Sequence, residues 1–331
     1  MSEILKSEKQ RLKILYLYKI LKEQTDENNS ITMPQIISQL SAYGISAGRK
    51  ALYDDIKAIK DYYSDITLAE AGRSPGYSLI ERDFDLSEVK LLADAVASSH
   101  FITEKKSKNL IDKIVTLRSV HEAKQIKRRV YVANRAKSEN ENILLLIDNI
   151  HCAINEKKKI TFEYYDYNTK KKLQKRGGTR KCTPYALAWF EDRYYLVAQY
   201  MDYKFTHFRV DRMKHLEIID EKGAPIPDDF NLSKYLKATF SMFSGTEEDV
   251  TLRFSKKYVN AVIDRFGKEV MIIPDGEEHF NVHAKVKSEH PEPFFGWLFQ
   301  FGENVKIVSP QSLKQKYNEM LKNVLKANES E

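Results

Sequence analysis

The chain has 331 residues, of which 42% are hydrophobic, so it is too apolar to be disordered and long enough for two or three domains. Its 54 lysine and arginine residues exceed its 47 aspartate and glutamate residues, and the net charge of +7 permits nucleic-acid binding without requiring it. The two cysteines cannot build a disulfide framework, and we find no signal peptide and no apolar segment of membrane-spanning length. We therefore expect a cytoplasmic protein with no membrane partner.

The first part of the chain has the pattern of three helices followed by a hairpin. Apolar residues at spacings of three and four predict helices over Ser7 to Gln24, Met33 to Tyr43 and Ala47 to Tyr63. Two short apolar segments, 66–68 and 77–80, flank the sequence AGRSPG and predict a β-hairpin. This order of elements is typical of a winged helix-turn-helix domain.

The third helix of such a domain lies in the major groove of DNA. Gly44 is expected in the tight turn before it and Ser46 at its cap. Arg49 can pair with a guanine, while Lys50 and Lys57 are suited to phosphates. The expected DNA-binding residues are Ser46, Arg49, Lys50, Tyr53 and Lys57 on this helix and Arg73 at the hairpin tip. The alternative is a helical domain with a solvated, charged face.

The remaining chain predicts a helical segment and two further domains. Helical patterns continue to about residue 140, and another helix fits Ile143 to Glu156. Five short strands then follow within 160–219, which suggests a small barrel. From about Thr246 the order β-α-β-β-α-β, with one added helix, is the ferredoxin-like pattern.

The second of these regions carries residues of a known family. The segment TPYALAWFEDRYYLVAQYMDYKFTHFRVDRM resembles the core of the WYL domain, which is named after a Trp-Tyr-Leu triplet. Tyr194 stands where that family has tryptophan. The matching residues are Pro184, Tyr195, Leu196, Phe208, Arg209, Asp211 and Arg212.

The resemblance extends in both directions and covers nearly the whole chain. The third helix is similar to the recognition helix of WYL regulators, and the C-terminal part is similar to the extension that follows their WYL domain. Lys50 and Asp54 depart from the family pattern, where threonine and arginine are usual, and Asp54 puts one DNA contact in question. The matching residues on the helix are Ser46, Arg49, Tyr53, Asp55 and Ile56.

The resemblance implies a bacterial transcription regulator, often a homodimer, whose SH3-like barrel binds a ligand such as a nucleotide or single-stranded nucleic acid. Aromatic rings could stack on bases and arginines could hold phosphates. The candidate ligand-binding residues are Tyr165, Arg180, Tyr194, Tyr195, His207, Arg209 and Arg212. Since adjacent strand residues face opposite sides, one of Tyr194 and Tyr195 is expected in the core. Arg212 could instead pair with Asp211.

Several patterns that resemble catalytic or metal sites lack the context that such sites need. Gly72, Ser74 and Gly76 fit a nucleophile elbow, but a strand and not a helix is predicted after them. His279 and His283 lie in a strand pattern with no nearby third ligand. We therefore expect that the protein is not an enzyme, that it has no catalytic residues and that it binds no metal and no cofactor.

The sequence as a whole predicts a multidomain α+β regulator that binds an operator in duplex DNA and responds to an anionic ligand. The expected domains are a winged helix-turn-helix (1–82), a helical linker (83–140), an SH3-like WYL barrel (141–222) and a ferredoxin-like C-terminal extension (223–331). Two alternatives stay open. The chain could be a ligand-binding adaptor whose winged helix contacts proteins, or, less favoured by the sequence, a hydrolase.

Overall fold

The structure is a computed structural model that describes residues 10–62, 68–70, 76–129, 137–227 and 247–329. It divides into two compact units, residues 1–141 and residues 142–331. Each unit combines helices with antiparallel strands, so the fold is α+β as predicted. Of the helices in the described ranges, none is long and apolar enough to cross a membrane. The four domain boundaries given above stay predictions.

Three helices and a two-stranded sheet open the first unit. They are α1 (Lys13–Gln24), α2 (Met33–Ala42), α3 (Arg49–Tyr62), β1 (Leu68–Glu70) and β2 (Tyr77–Leu79). The apolar residues at helical spacing face one shared core, in which Leu17, Ile36 and Leu52 are fully buried. β1 pairs antiparallel with β2, and Ile31 forms an isolated bridge with Tyr77.

The start of α3 differs from the prediction. The helix begins at Arg49 and not at Ala47, because its first turn closes on Gly48, whose carbonyl accepts the amide of Leu52 at 3.2 Å. The expected cap at Ser46 is therefore wrong. The predicted tight turn is present before the helix, since Gly44 has a φ of 78°, in the left-handed region that favours glycine.

The hairpin is only partly described. Its first strand is Leu68–Glu70, displaced from the predicted segment 66–68, and its return strand is Tyr77–Leu79. Residues 63–67 and the hairpin tip at 71–75 lie outside the described residues. The three helices and the paired strands follow the predicted order of elements, and the winged helix-turn-helix itself stays a prediction.

Three more α-helices follow in the described part of the first unit, in the region where the sequence predicts helices. They are α4 (Leu86–Ser98), α5 (Glu104–Ile114) and α6 (Val120–Arg129). They have their own small core, which includes Val89, Ala93 and Ile126. The hydroxyl of Thr103 accepts the amide of Lys106 at 3.1 Å and so caps α5.

Buried polar side chains connect the beginning of this unit to its end. The Ser119 hydroxyl donates to one carboxylate oxygen of Asp26, and Asn28 and Asn29 donate to the other at 2.9 and 2.7 Å. Burial alone would raise the pKa of Asp26, but these hydrogen bonds outweigh it and hold the pKa below the ordinary value of 3.8. Arg118 and Glu122 form a second buried pair nearby in sequence, at 2.8 Å.

The second unit opens with helix α7 (Ile143–Asn155) and an antiparallel six-stranded sheet. The strands are β3 (Lys158–Tyr167), β4 (Leu173–Lys175), β5 (Arg180–Phe190), β6 (Arg193–Tyr200), β7 (Tyr203–Arg209) and β8 (Met213–Lys222). Their order is β4-β3-β5-β6-β7, and β8 pairs with β3. The sequence predicts five of these strands and misses β4, which pairs with β3 and lies in the lysine-rich segment 170–181.

The predicted SH3-like barrel is not confirmed. Closure would require the free side of β7 to pair with another strand, and among the described residues β7 pairs only with β6. The sheet is therefore open along this path. Its core holds an aromatic cluster in which Phe162 and Phe208 meet edge to face at 5.2 Å.

The last part of the chain has the predicted order β-α-β-β-α-β with one added helix. Its elements are β9 (Glu247–Ser255), α8 (Val259–Phe266), β10 (Met271–Asp275), β11 (His279–Lys287), α9 (Glu292–Phe299), β12 (Val305–Ser309) and α10 (Gln311–Glu329). The sheet order is β10-β11-β9-β12, and the ferredoxin-like name stays a prediction. His279 and His283 lie on strand β11, as predicted, and Nδ1 of His283 is 3.1 Å from the Thr251 hydroxyl.

The Asp26 cluster predicts how the stability of the first unit depends on pH. Because the pKa of Asp26 is lower in the folded chain, its stabilising effect is present above the unfolded pKa and is lost as the pH falls through the folded pKa. Asp26→Asn should lower the free energy of unfolding at neutral pH by about 1–3 kcal/mol, because a hydrogen-bonded buried carboxylate is lost. It should also flatten the fall in stability as the pH drops from about 5 to values below the ordinary pKa of 3.8.

Urea unfolding across that pH range measures both effects. Asp83→Asn is the control, because Asp83 is an exposed carboxylate of the same unit. Equal pH profiles for Asp26→Asn and the unmodified chain would contradict the role given to Asp26.

Candidate functional site

The exposed side of α3 carries most of the predicted DNA-binding residues. Leu52, Ile56 and Ile59 point into the core of the first unit and fix the orientation of the helix. The rest of the helix surface is left to solvent, and Arg49, Lys50, Tyr53 and Lys57 are all exposed there.

Two contacts connect α3 and the turn before it to α1 and to Gln10, which precedes α1. Lys13 of α1 and Asp55 of α3 form an ion pair at 2.7 Å, with both side chains less than one fifth exposed. Ser46 is exposed, and its carbonyl accepts a hydrogen bond from the Gln10 side chain at 2.8 Å. Arg73, the residue expected at the hairpin tip, lies outside the described residues.

The candidate ligand site in the second unit is built around the phenol of Tyr164 on β3. Alternation along the strand places this ring inside the sheet, where it is buried. Its hydroxyl accepts the backbone amide of Arg209 at 3.0 Å and so connects β3 to the end of β7. Burial raises the pKa of Tyr164, and the amide of Arg209 and the charge of Arg212 oppose this effect.

Two carboxylates hold two arginines each, and these arginines include Arg209 and Arg212 beside Tyr164. Asp211 accepts from Arg193 at 2.9 Å and from Arg209 at 3.1 and 2.7 Å. Burial lowers the pKa of Arg209, but the paired Asp211 outweighs this effect and the pKa is raised. The guanidinium of Arg209 is therefore charged at any physiological pH.

Asp166 does the same for the second pair of arginines. Its two carboxylate oxygens accept from Arg212 at 2.7 Å and from Arg176 at 3.2 Å. Each carboxylate thus neutralises only one of its two guanidinium groups. The two groups of residues keep a net positive charge that an anion could use.

Arg180 lies against three aromatic rings, one of which is that of Tyr164. Its guanidinium carbon lies 5.0 Å from the ring centre of Tyr164, 5.7 Å from that of Tyr200 and 5.3 Å from that of Phe208. These distances are typical of cation–π contacts. The Nε atoms of Arg180 and Arg212 are buried and have no hydrogen-bond partner among the described residues.

The structure brings some predicted ligand residues together and separates others. Arg180, Arg209 and Arg212 surround Tyr164, and Tyr195 lies directly opposite Arg209 on β6. His207 lies on the same side of β7 as Arg209, two positions along the strand. Tyr195 and His207 therefore lie beside Arg209, whereas Arg180 contacts Phe208, the residue before Arg209, whose side chain points to the other face of β7.

Two of the predicted tyrosines lie apart from this group. Tyr194 faces the other side of the sheet from Tyr195 and contacts Trp189 at 4.8 Å between ring centres. Tyr165 donates to Glu163 at 2.7 Å and lies under the ammonium group of Lys214. Tyr195 is half-buried in a small apolar cluster, so both members of the Tyr194–Tyr195 pair are partly covered.

Sequence reasoning missed Tyr164, Arg193 and Asp166. Strand alternation assigns Tyr164 to the core, where a hydrogen-bonding role is not visible. Asp166 and Arg212 are separated by 46 residues, so nothing local in the sequence pairs them. For Arg193 a signal existed, because it directly precedes the Tyr194–Tyr195–Leu196 triplet.

Comparisons with known proteins agree with the sequence resemblance. Residues 146–218 match the family model of the WYL domain, and residues 246–325 match that of the WCX domain. The predicted resemblance to WYL-domain regulators is confirmed by these two matches. The comparison with curated proteins gave no match.

Two solved structures show weaker similarity. One is proteasome accessory factor B/C (PafBC) of Arthrobacter aurescens, with 17% identity, a TM-score of 0.28 and coverage of 92% of this chain and 47% of that chain. The other is a CRISPR Cas-related protein, with 14% identity, a TM-score of 0.36 and coverage of 89% and 78%. The chain thus spans about half the length of PafBC.

The hydrogen bond of Tyr164 gives a prediction for stability. Tyr164→Phe leaves the amide of Arg209 without its acceptor, so the free energy of unfolding should fall by about 1 kcal/mol. Tyr200→Phe is the matched control, because it keeps the ring that faces Arg180 and no hydrogen bond of its hydroxyl is found in the described part of the chain. Chemical denaturation measures both variants. A loss that is equal in the two variants would contradict the role of the Tyr164 hydroxyl.

Proposed function

Because this chain carries the WYL and WCX domains of the WYL-domain regulators, we propose that it is a transcription regulator that binds duplex DNA and responds to an anionic ligand. The observation that carries the proposal is the exposed side of α3, where Arg49, Lys50, Tyr53 and Lys57 are free of the core. A helix with one apolar and one basic side, in a three-helix unit followed by a hairpin, is suited to the major groove.

The DNA-reading part of the proposal assigns separate tasks to these side chains. Arg49 lies at the start of the helix, where side chains of a recognition helix reach base edges, and its planar fork matches the two acceptors of guanine. Lys50 and Lys57 hold phosphates, which fixes the register without reading sequence. Ser46, Tyr53 and Arg73 complete the proposed contact surface, with Arg73 at the hairpin tip.

The ligand-binding part rests on the arginines around Tyr164. Arg180, Arg209 and Arg212 supply positive charge, and the buried Nε atoms of Arg180 and Arg212 have no acceptor among the described residues. Such orphaned donors are favourable places for a phosphate oxygen. Tyr195 and His207 offer ring faces for a base beside Arg209. A nucleotide or a short single-stranded nucleic acid has both features.

We infer further that the active form is a homodimer without enzymatic activity. Ligand binding would change the relative placement of the two winged helices in the dimer. Operator affinity would then change, because the spacing of the two half-sites must match the turn of the duplex. We also propose that the three domains are a winged helix-turn-helix, an SH3-like domain and a ferredoxin-like domain.

The DNA-binding part predicts a graded effect of single substitutions. Arg49→Ala should weaken binding to the operator by about 1–3 kcal/mol and relax the base preference at one position. Lys57→Ala should weaken binding to all duplexes and reduce the salt slope by about 1. Fluorescence anisotropy with duplex DNA from the upstream region of the gene, at several salt concentrations, measures these effects.

Lys314→Ala is the control, because it removes one exposed lysine from α10 in the other unit. Equal operator affinity of Arg49→Ala and the unmodified chain would favour the adaptor alternative, in which the winged helix contacts proteins. No binding to any duplex at low salt would contradict the proposal directly.

The ligand-binding part of the proposal predicts a loss of oligonucleotide binding when the guanidinium group of Arg209 is removed. Arg209→Ala should weaken the binding of a labelled single-stranded oligonucleotide about tenfold or more, because a charge-assisted hydrogen bond is lost. Arg209→Lys should restore only part of it, since lysine lacks the planar fork. Lys159→Ala is the control, because Lys159 pairs with Glu221 on the surface of the same sheet at 3.3 Å. Unchanged binding by Arg209→Ala would remove Arg209 from the proposed site.

A further inference from the structure

The exposed side of α3 carries one residue whose charge is opposite to that of its neighbours. Asp54 is exposed and lies in a row with Lys50 and Lys57, at spacings of four and three residues. This row is opposite the buried row of Leu52, Ile56 and Ile59, so it is the part of the helix that points most directly away from the core.

Within the part of the chain that the structure describes, no contact accounts for the negative charge of Asp54. Among the described residues its carboxylate forms no ion pair with Lys50 or Lys57 and no hydrogen bond. Its neighbour Asp55, by contrast, is used within the fold, since it pairs with Lys13 at 2.7 Å. The carboxylate of Asp54 is therefore available to a partner molecule.

The carboxylate of Asp54 can bind favourably next to DNA only where a suitable hydrogen-bond donor of a base faces it. Phosphates repel it, so it needs a hydrogen-bond donor that is separate from other acceptors. In the major groove guanine presents two acceptors, thymine one acceptor and a methyl group, and adenine a donor directly beside an acceptor. Cytosine presents its amino group alone, and aspartate is among the side chains that accept from it.

We propose that Asp54 is a specificity-determining residue that accepts a hydrogen bond from the amino group of one cytosine in each half-site of the operator. This inference rests on the proposed function, because it requires α3 to lie in the major groove. Arg49 and Asp54 then read opposite chemical features from one helix, an acceptor pair on guanine and a donor on cytosine. The carboxylate also weakens binding to sequences that lack this cytosine, since the repulsion is then uncompensated.

Selection of duplexes from a randomised library tests the inference with the full chain. We expect Asp54→Ala to lose a cytosine preference of roughly tenfold at one position of each half-site while other positions keep theirs. Its affinity for random duplex should rise, because a negative charge has been removed. Asp54→Asn should move the preference at that position from cytosine to adenine, whose donor and acceptor match an amide.

Asp61→Ala is the matched control. Asp61 is exposed on the same row of α3, seven residues further from the beginning of the helix. Its removal changes the charge of the helix by the same amount, so a general electrostatic effect would appear in both variants. We expect Asp61→Ala to leave every base preference unchanged.

The outcomes separate this inference from the proposed function. If the unmodified chain selects a motif and Asp54→Ala and Asp54→Asn select the same motif, the role of Asp54 is overturned and the regulator stands. A cytosine preference lost equally in Asp54→Ala and Asp61→Ala would overturn it as well. If the unmodified chain selects no motif at all, the proposed function fails, and the inference fails with it.

Discussion

The pairing of arginines through shared carboxylates is the interaction on which the candidate ligand site depends. Guanidinium groups that lie close together repel one another unless an anion lies between them. Asp211 fills this role for Arg193 and Arg209, and Asp166 fills it for Arg176 and Arg212. Both pairs remain net positive, so the fold holds positive charge in place without neutralising it. A phosphate would meet arginines that are already oriented, which lowers the entropy lost on binding.

In the first unit, a single helix carries both the contacts to the core and the exposed basic side chains. α3 uses Leu52, Ile56 and Ile59 for the core and Asp55 for its tie to α1, which leaves the other sides for a partner. The buried carboxylate of Asp26 stabilises the same unit, because it accepts a hydrogen bond from Ser119 and so connects the beginning of the unit to its end. Rigid anchoring of this kind keeps exposed side chains in a fixed register, which is a condition for reading bases in a groove.

The sequence predicts much of this architecture and less of the site. Periodicity finds the helices, most of the strands and the β-α-β-β-α-β order, because apolar spacing records which side of an element is buried. It places the start of α3 at Ala47 instead of Arg49 and misses β4, since a first helical turn and a three-residue strand leave little pattern. Closure into a barrel depends on pairing between distant strands, and no local segment shows that one edge of β7 stays unpaired among the described residues. For the same reason Arg209 and Arg212 are found from a motif, whereas their partner residues Tyr164 and Asp166, far away in sequence, are not.

The measurement that tests the regulator most directly is operator affinity with and without a saturating short single-stranded oligonucleotide. If the ligand site and α3 are coupled, the oligonucleotide should change operator affinity by about 5–150-fold. Linkage requires that operator DNA change the affinity for the oligonucleotide by the same factor. Operator affinity that stays unchanged at saturation, in a chain that binds both molecules, would contradict the claim that the ligand controls DNA binding.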